Sequence, residues 1–168
     1  MKIEITIKGI DSLFSFFPES DQIFYQSPHK LIPQFSKDTC VAACARMLLA
    51  DFGIDAPESY LASALETDGG AYLSRVPQTL KAFGLVDNFE WRKNLTIAEL
   101  SKFLKHGRAI VFLQLKNAEF GHSVIVDDII GHEVRLCDSL PRGQGKSYAV
   151  SLEKFLSVWL KSGVVYGK

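Results

Sequence analysis

The chain has 168 residues, 47% of them apolar and 23% charged, with 19 basic and 19 acidic side chains and so no formal net charge. That length supports one domain with its own core, and a balanced charge without a basic cluster excludes electrostatic capture of nucleic acid or an anionic membrane. No apolar run approaches the roughly 20 residues of a membrane span, and Lys2, Glu4, Lys8 and Asp11 interrupt the apolar centre that a signal peptide needs.

The expected setting is therefore a cytoplasm, or delivery into a target cell by a secretion system that reads no signal peptide. Three cysteines, Cys40, Cys44 and Cys137, form no CxxC pair and have no histidine at zinc-ligand spacing. Neither a disulfide framework nor a metal site is expected, and at least one thiol is free.

Residues 3–7, "IEITI", alternate apolar and polar and predict a strand. Residues 11–33 are punctuated by Pro18, Pro28 and Pro33 and predict a loop. Residues 1–31 are thus expected to form an N-terminal extension, with the main domain over 32–168. From Cys40 to Phe52 apolar positions occupy nearly the whole helical wheel, which predicts a helix buried on all sides, capped by Asp38 or Thr39 and stopped at Gly53. A second helix is expected from Pro57 to about Leu65, a turn at Gly69–Gly70, and a third helix from about Ser74 to Phe83. Thr96 and Glu99 predict a capping box for a fourth helix ending at Gly107.

Beyond residue 108 the pattern changes to strands, at 109–115, 122–129, 133–139 and 147–150. A helix capped by Ser151 follows to about Lys161, then a closing strand over 164–167. Helices first and antiparallel strands afterwards predict an α+β fold, a helical half packed on a sheet.

Cys40 falls in the first turn of its predicted helix, where free backbone N–H groups and the macrodipole favour a thiolate. Cys44 lies one turn deeper among alanines and leucines, and packing explains it; packing alone would also explain Cys40. A nucleophilic thiol needs a base and a group that orients the base. Of His29, His106, His122 and His132, only His122 opens an apolar strand, directly after Gly121.

Asp138 lies on the following strand, and whether the two meet depends on register. A two-residue turn at Gly131–His132 sets Asp138 opposite Ile125, on the wrong face. A three-residue loop sets it opposite Val124, diagonal to His122 on the same face. Catalysis by this pair thus requires an odd-length loop or a bulge. Gln34, six residues before Cys40, has the side-chain amide that an oxyanion site needs, with the Cys40 backbone N–H as a second donor.

The order Gln34, Cys40, His122, Asp138, with "GHSVIV" at the histidine, "LLADFG" after the nucleophile helix, "TDGGAYLSRVPQTLKAFGL" in the helical half and "CDSLPRG" at the acid, resembles the double-glycine leader peptidases over roughly residues 32–161. These are papain-like cysteine peptidases best known as N-terminal domains of bacteriocin-exporting ABC transporters. The resemblance implies a papain-like fold with Cys40 as nucleophile, His122 as base, Asp138 as its orienter, Gln34 as oxyanion donor, and Gly121 and Ser123 as substrate-binding residues. It implies no metal or organic cofactor, and a peptide or protein substrate bearing a Gly-Gly-type motif. Val41 departs from the small residue that tends to follow the nucleophile in that family. The 39 residues ahead of Cys40 and the lack of a GxxxxGK[ST] motif point to a stand-alone enzyme.

Such an enzyme would be either a leader-processing protease or a toxin effector with an immunity protein as partner. The same constellation would serve a glutamine deamidase or transglutaminase-like acyl transferase, and a non-catalytic leader-binding module is a further alternative.

Overall fold

The computed structural model of the chain describes residues 14–118 and 121–167. The strand expected over 3–7 lies outside the described residues. Helix α1 (Cys40–Asp51) buries eight of its twelve residues, in agreement with an apolar pattern around the whole wheel. Helices α2 (Glu58–Ala64) and α3 (Val76–Ala82), the latter entered through a 3₁₀ turn at Leu73–Arg75, pack beside it. Strand β1 (Phe89–Arg92), which the sequence reading missed, precedes helix α4 (Ile97–Phe103). The capping box at Thr96 and Glu99 forms as expected, but α4 ends a turn before Gly107.

The remaining strands are β2 (Ala109–Leu113), β3 (His122–Ile130), β4 (Glu133–Asp138), β5 (Lys146–Ser151) and β6 (Trp159–Tyr166), with helix α5 (Leu152–Val158) before the last. Ser151 caps α5 by accepting from the Lys154 amide. The helix stops at Val158 rather than near Lys161, because Trp159 onward is drawn into the sheet between β1 and β2. Pairing across the sheet overrides local helix preference there.

Among the described residues, six strands lie in one antiparallel sheet of order β1-β6-β2-β3-β4-β5. The α+β architecture expected from the sequence is the one observed. One face of the sheet carries Ile110, Ile125 and Cys137 against helices α1 to α3. The other carries Val111, Leu113, Val124, Val126, Val134, Leu136 and Tyr148, covered by Phe17, α4 and α5. Residues 14–31 therefore lie on the domain: Phe17 is buried in this second core, and Ile23 pairs with Ala149 beside β5.

The β3–β4 hairpin has the two-residue turn, pairing Ile130 with Glu133. The register then slips by one residue between Asp128↔Arg135 and Val126↔Leu136, so Asp127 is the extra residue of a β-bulge. Its carboxylate accepts hydrogen bonds from Arg108 Nη1 at 2.9 Å, Tyr25 Oη at 2.6 Å and Ser27 Oγ at 2.5 Å. Arg108 also grips Asp51 at the end of α1 with two bonds of 2.9 Å. The bulge is thereby tied to the helical layer. Past it, Ile125 pairs with Cys137, so Asp138 comes opposite Val124 and onto the face that bears His122.

Candidate active site

Cys40 is the first residue of α1, preceded by Thr39 at the N-cap. The cap does not work as the sequence suggests. Thr39 Oγ1 turns back to exchange hydrogen bonds with Ser36, and Asp38 accepts from the Gly69 amide instead. Among the described residues no side chain caps the N-terminus of α1, and its first N–H groups favour a negative charge. The contact from Gly69 also explains Gly69–Gly70: both have positive φ, 70° and 149°, in a turn against the nucleophile loop.

His122 opens β3 and is nearly buried. Its Nε2 lies 2.8 Å from Asp138 Oδ1, which leaves Nδ1 for the thiol. Asp138 has no exposed surface, and four groups serve its carboxylate. His122 and the Leu140 amide, at 3.0 Å, bond Oδ1; the Tyr148 hydroxyl, at 2.7 Å, and the Phe16 amide, at 2.8 Å, bond Oδ2. An acceptor so fully satisfied is held in one orientation.

The electrostatics follow from this packing. Burial works against each charged form, but at Asp138 it is outweighed by His122 and by the donors from Phe16 and Tyr148, which hold the carboxyl below its ordinary 3.8. At His122, burial is outweighed by Asp138 and Cys40, which push the imidazole up to about 10. At Cys40, burial is outweighed by the hydrogen bond and attraction of His122 and by Ser123, which bring the thiol below 9.0. Burial and the neighbouring Cys40 push Cys44 the other way, well above that value. The two thiols, one turn apart, are chemically opposite.

Gln34 is not a solvated loop residue: it is 1% exposed. Ser139 Oγ donates to its Oε1 at 2.6 Å, and its Nε2 donates to the Ser36 carbonyl at 2.8 Å. A carbonyl can only accept, so the amide orientation is fixed, and among the described residues the second Nε2–H has no partner. Ser139, which sequence reasoning did not single out, thus joins the acid to the amide, being the next residue after Asp138.

Gly121 lies at the strand end beside His122. A side chain there would run into the Phe112 ring and the Leu113 carbonyl, so the close approach of β2 requires glycine. Ser123 departs from expectation. It has no exposed surface, and its hydroxyl accepts from Cys44 Sγ at 3.7 Å and supports Cys40, so it sits beneath the thiols where no substrate can reach it. Among the described residues no cluster of histidine, cysteine and carboxylate side chains could hold a metal, and no helix is long and apolar enough to cross a membrane.

Comparison with known proteins bears on the family and the fold. The model of the Peptidase_C39 like family matches residues 24–166. The fold is similar to the peptidase domain of Streptococcus ComA, a bi-functional ABC transporter involved in quorum sensing, with 20% identity and a TM-score of 0.68 over 83% of this chain and 99% of that one. It is similar to a C39-like peptidase from Bacillus anthracis, with 18% identity and a TM-score of 0.67 over 88% and 98%. It is also similar to a double glycine motif protease from an AMS/PCAT transporter in complex with the leader peptide, with 16% identity and a TM-score of 0.61 over 86% and 95%. No curated protein matches the chain. The chain belongs to the Peptidase_C39 like family and is a cysteine peptidase of papain-like fold.

Proposed function

We propose that the protein is an endopeptidase that cuts after a pair of small residues of the Gly-Gly type, through Cys40, His122 and Asp138, with Gln34 at the oxyanion. The observation that carries this reading is the fully bonded Asp138 holding His122 by Nε2, which leaves Nδ1 for a thiol at an uncapped helix N-terminus. The Cys40 thiolate attacks the scissile carbonyl, and the oxyanion is held by the free Gln34 Nε2–H and the Cys40 amide. The His122 imidazolium gives its Nδ1 proton to the departing amine as the C–N bond breaks. Neutral His122 then takes a proton from water, whose oxygen attacks the thioester and expels the Cys40 thiolate; the new carboxylic acid leaves and ionises, and the thiolate–imidazolium pair is restored. Asp138 orients the ring throughout and stabilises its charge. Gly121, at the strand end, offers backbone to an extended substrate.

Leader-peptide processing is the setting best supported, because a protein of similar fold was solved with a leader peptide bound. A toxin effector acting inside a target cell, with an immunity protein against it, would use the same steps. The test is mass spectrometry of Gly-Gly-bearing leader peptides incubated with the wild type and with Cys40→Ala. A cut after the second glycine that Cys40→Ala abolishes is the expected result. An intact backbone, or deamidated glutamine without a cut, contradicts it.

A further inference from the structure

Two aromatic residues in the loop-like "SFFPES" have different surroundings. Phe17 is 4% exposed, lies in the second core and meets the Tyr148 ring edge-on at 6.3 Å. Phe16 stays half-exposed, yet its ring lies nearly parallel to the His122 imidazole, with centroids 5.8 Å apart and planes 10° apart. Its amide is the one that donates to Asp138 Oδ2. Neighbouring bonds fix the segment there: Ser15 Oγ donates to the Leu140 carbonyl at 3.2 Å, the Phe17 amide to Tyr148 Oη at 3.4 Å, and Gln22 to the Phe17 carbonyl at 2.8 Å. Phe16 also lies outside residues 24–166, the part that the family model matches.

We infer that Phe16 is a positioning residue of the site, a cover that seals the His122–Asp138 pair from water with its ring while its amide completes the carboxylate's shell. This rests on the proposed roles of His122 and Asp138. The reasoning is physical. By strand alternation His122 and Asp138 share the sheet face of Val124 and Leu136, and Phe16 packs on that face. A hydrogen bond between charged partners is stronger where water cannot compete for it. A flat ring stacked on the imidazole also limits rotation of the base. Phe16 packs partly buried against the second core, with Phe17 edge-on to it at 5.1 Å, and presents its flat side to the histidine.

The direct test is proton NMR of the full chain, following the His122 Nε2–H resonance, identified by its absence in His122→Ala. In the wild type this proton should exchange slowly with water. Phe16→Ala should speed exchange on the order of tenfold, with Phe16→Tyr restoring it. Phe24→Ala, which removes a ring that is 91% exposed, should leave it unchanged. If Phe16→Ala does not fold, Phe16→Leu replaces it, and faster exchange is again expected because the flat cover is gone. Wild-type exchange in Phe16→Ala or Phe16→Leu, or failure of Phe16→Tyr to restore it, overturns the inference. A protected proton in a chain that cuts no peptide would instead sink the peptidase reading and leave the role of Phe16 standing.

Discussion

At the scale of single residues, the site depends on which hydrogen bonds are already taken. Gln34 has one Nε2–H left because Ser36 uses the other and Ser139 holds the oxygen. Gln34→Ala should lower kcat by about 10²–10³ with the fold intact, the usual effect of removing one oxyanion donor. Ser139→Ala, which only frees the amide to turn, should cost less; steady-state kinetics on a cleaved peptide would rank the two. Cys40, His122, Asp138 and Gln34 could be singled out as candidates from the sequence because their residue types and order are those of acyl-transfer chemistry, and their catalytic roles are what we propose. Ser139 and Phe16 could not be, since a serine after an aspartate and a phenylalanine in a polar loop carry no signal until the fold brings them to the site. Ser123 was misjudged for the same reason: adjacency to His122 in sequence puts it on the opposite, buried side of the strand.

At the scale of elements, the bulge at Asp127 decides whether the site exists. The hairpin has the two-residue turn that alone would send Asp138 to the wrong face, and the extra residue restores it. From sequence only the requirement could be stated, because nothing in "HSVIVDDI" shows which residue leaves the ladder. The structure supplies the reason: Arg108, 3% exposed, pulls Asp127 out of register toward Asp51 and α1. Breaking such a buried pair by removing one partner leaves a charge without compensation. Arg108→Met should therefore destabilise the protein by about 3–5 kcal/mol in urea unfolding. A loss below about 1 kcal/mol would mean that the bulge is held by something else. Strand β1 and the first half of β6 escaped prediction because their pairing partners are distant in sequence and "WLKSGVVY" has no strict alternation.

At the scale of the whole molecule, Cys40 borders the core on one side of the sheet and Phe16 the core on the other, and the charges of Cys40, His122 and Asp138 set the pH behaviour. The thiolate–imidazolium pair is complete above the lowered value of Cys40 and below about 10, where His122 loses its proton. Activity should thus rise below pH 9 and fall near 10. Asp138→Asn removes the counter-charge, so the alkaline limb should move down toward 6.5, the ordinary value of the imidazole. For stability the sign at Asp138 is that of a depressed carboxylate: its contribution is present above 3.8 and is lost as pH falls through the lower folded value. Acid unfolding of Asp138→Asn should accordingly show a shallower slope. The central claim, that Cys40 is a nucleophile organised by His122 and Asp138 while Cys44 and Cys137 are packing, is tested most directly by iodoacetamide labelling with peptide mapping across pH. At neutral pH Cys40 should be alkylated rapidly and the other two hardly at all, with His122→Ala slowing Cys40 to the rate of an ordinary thiol. Equal labelling of the three thiols, or a Cys40 that reacts only as pH approaches 9 in the wild type, would contradict the account.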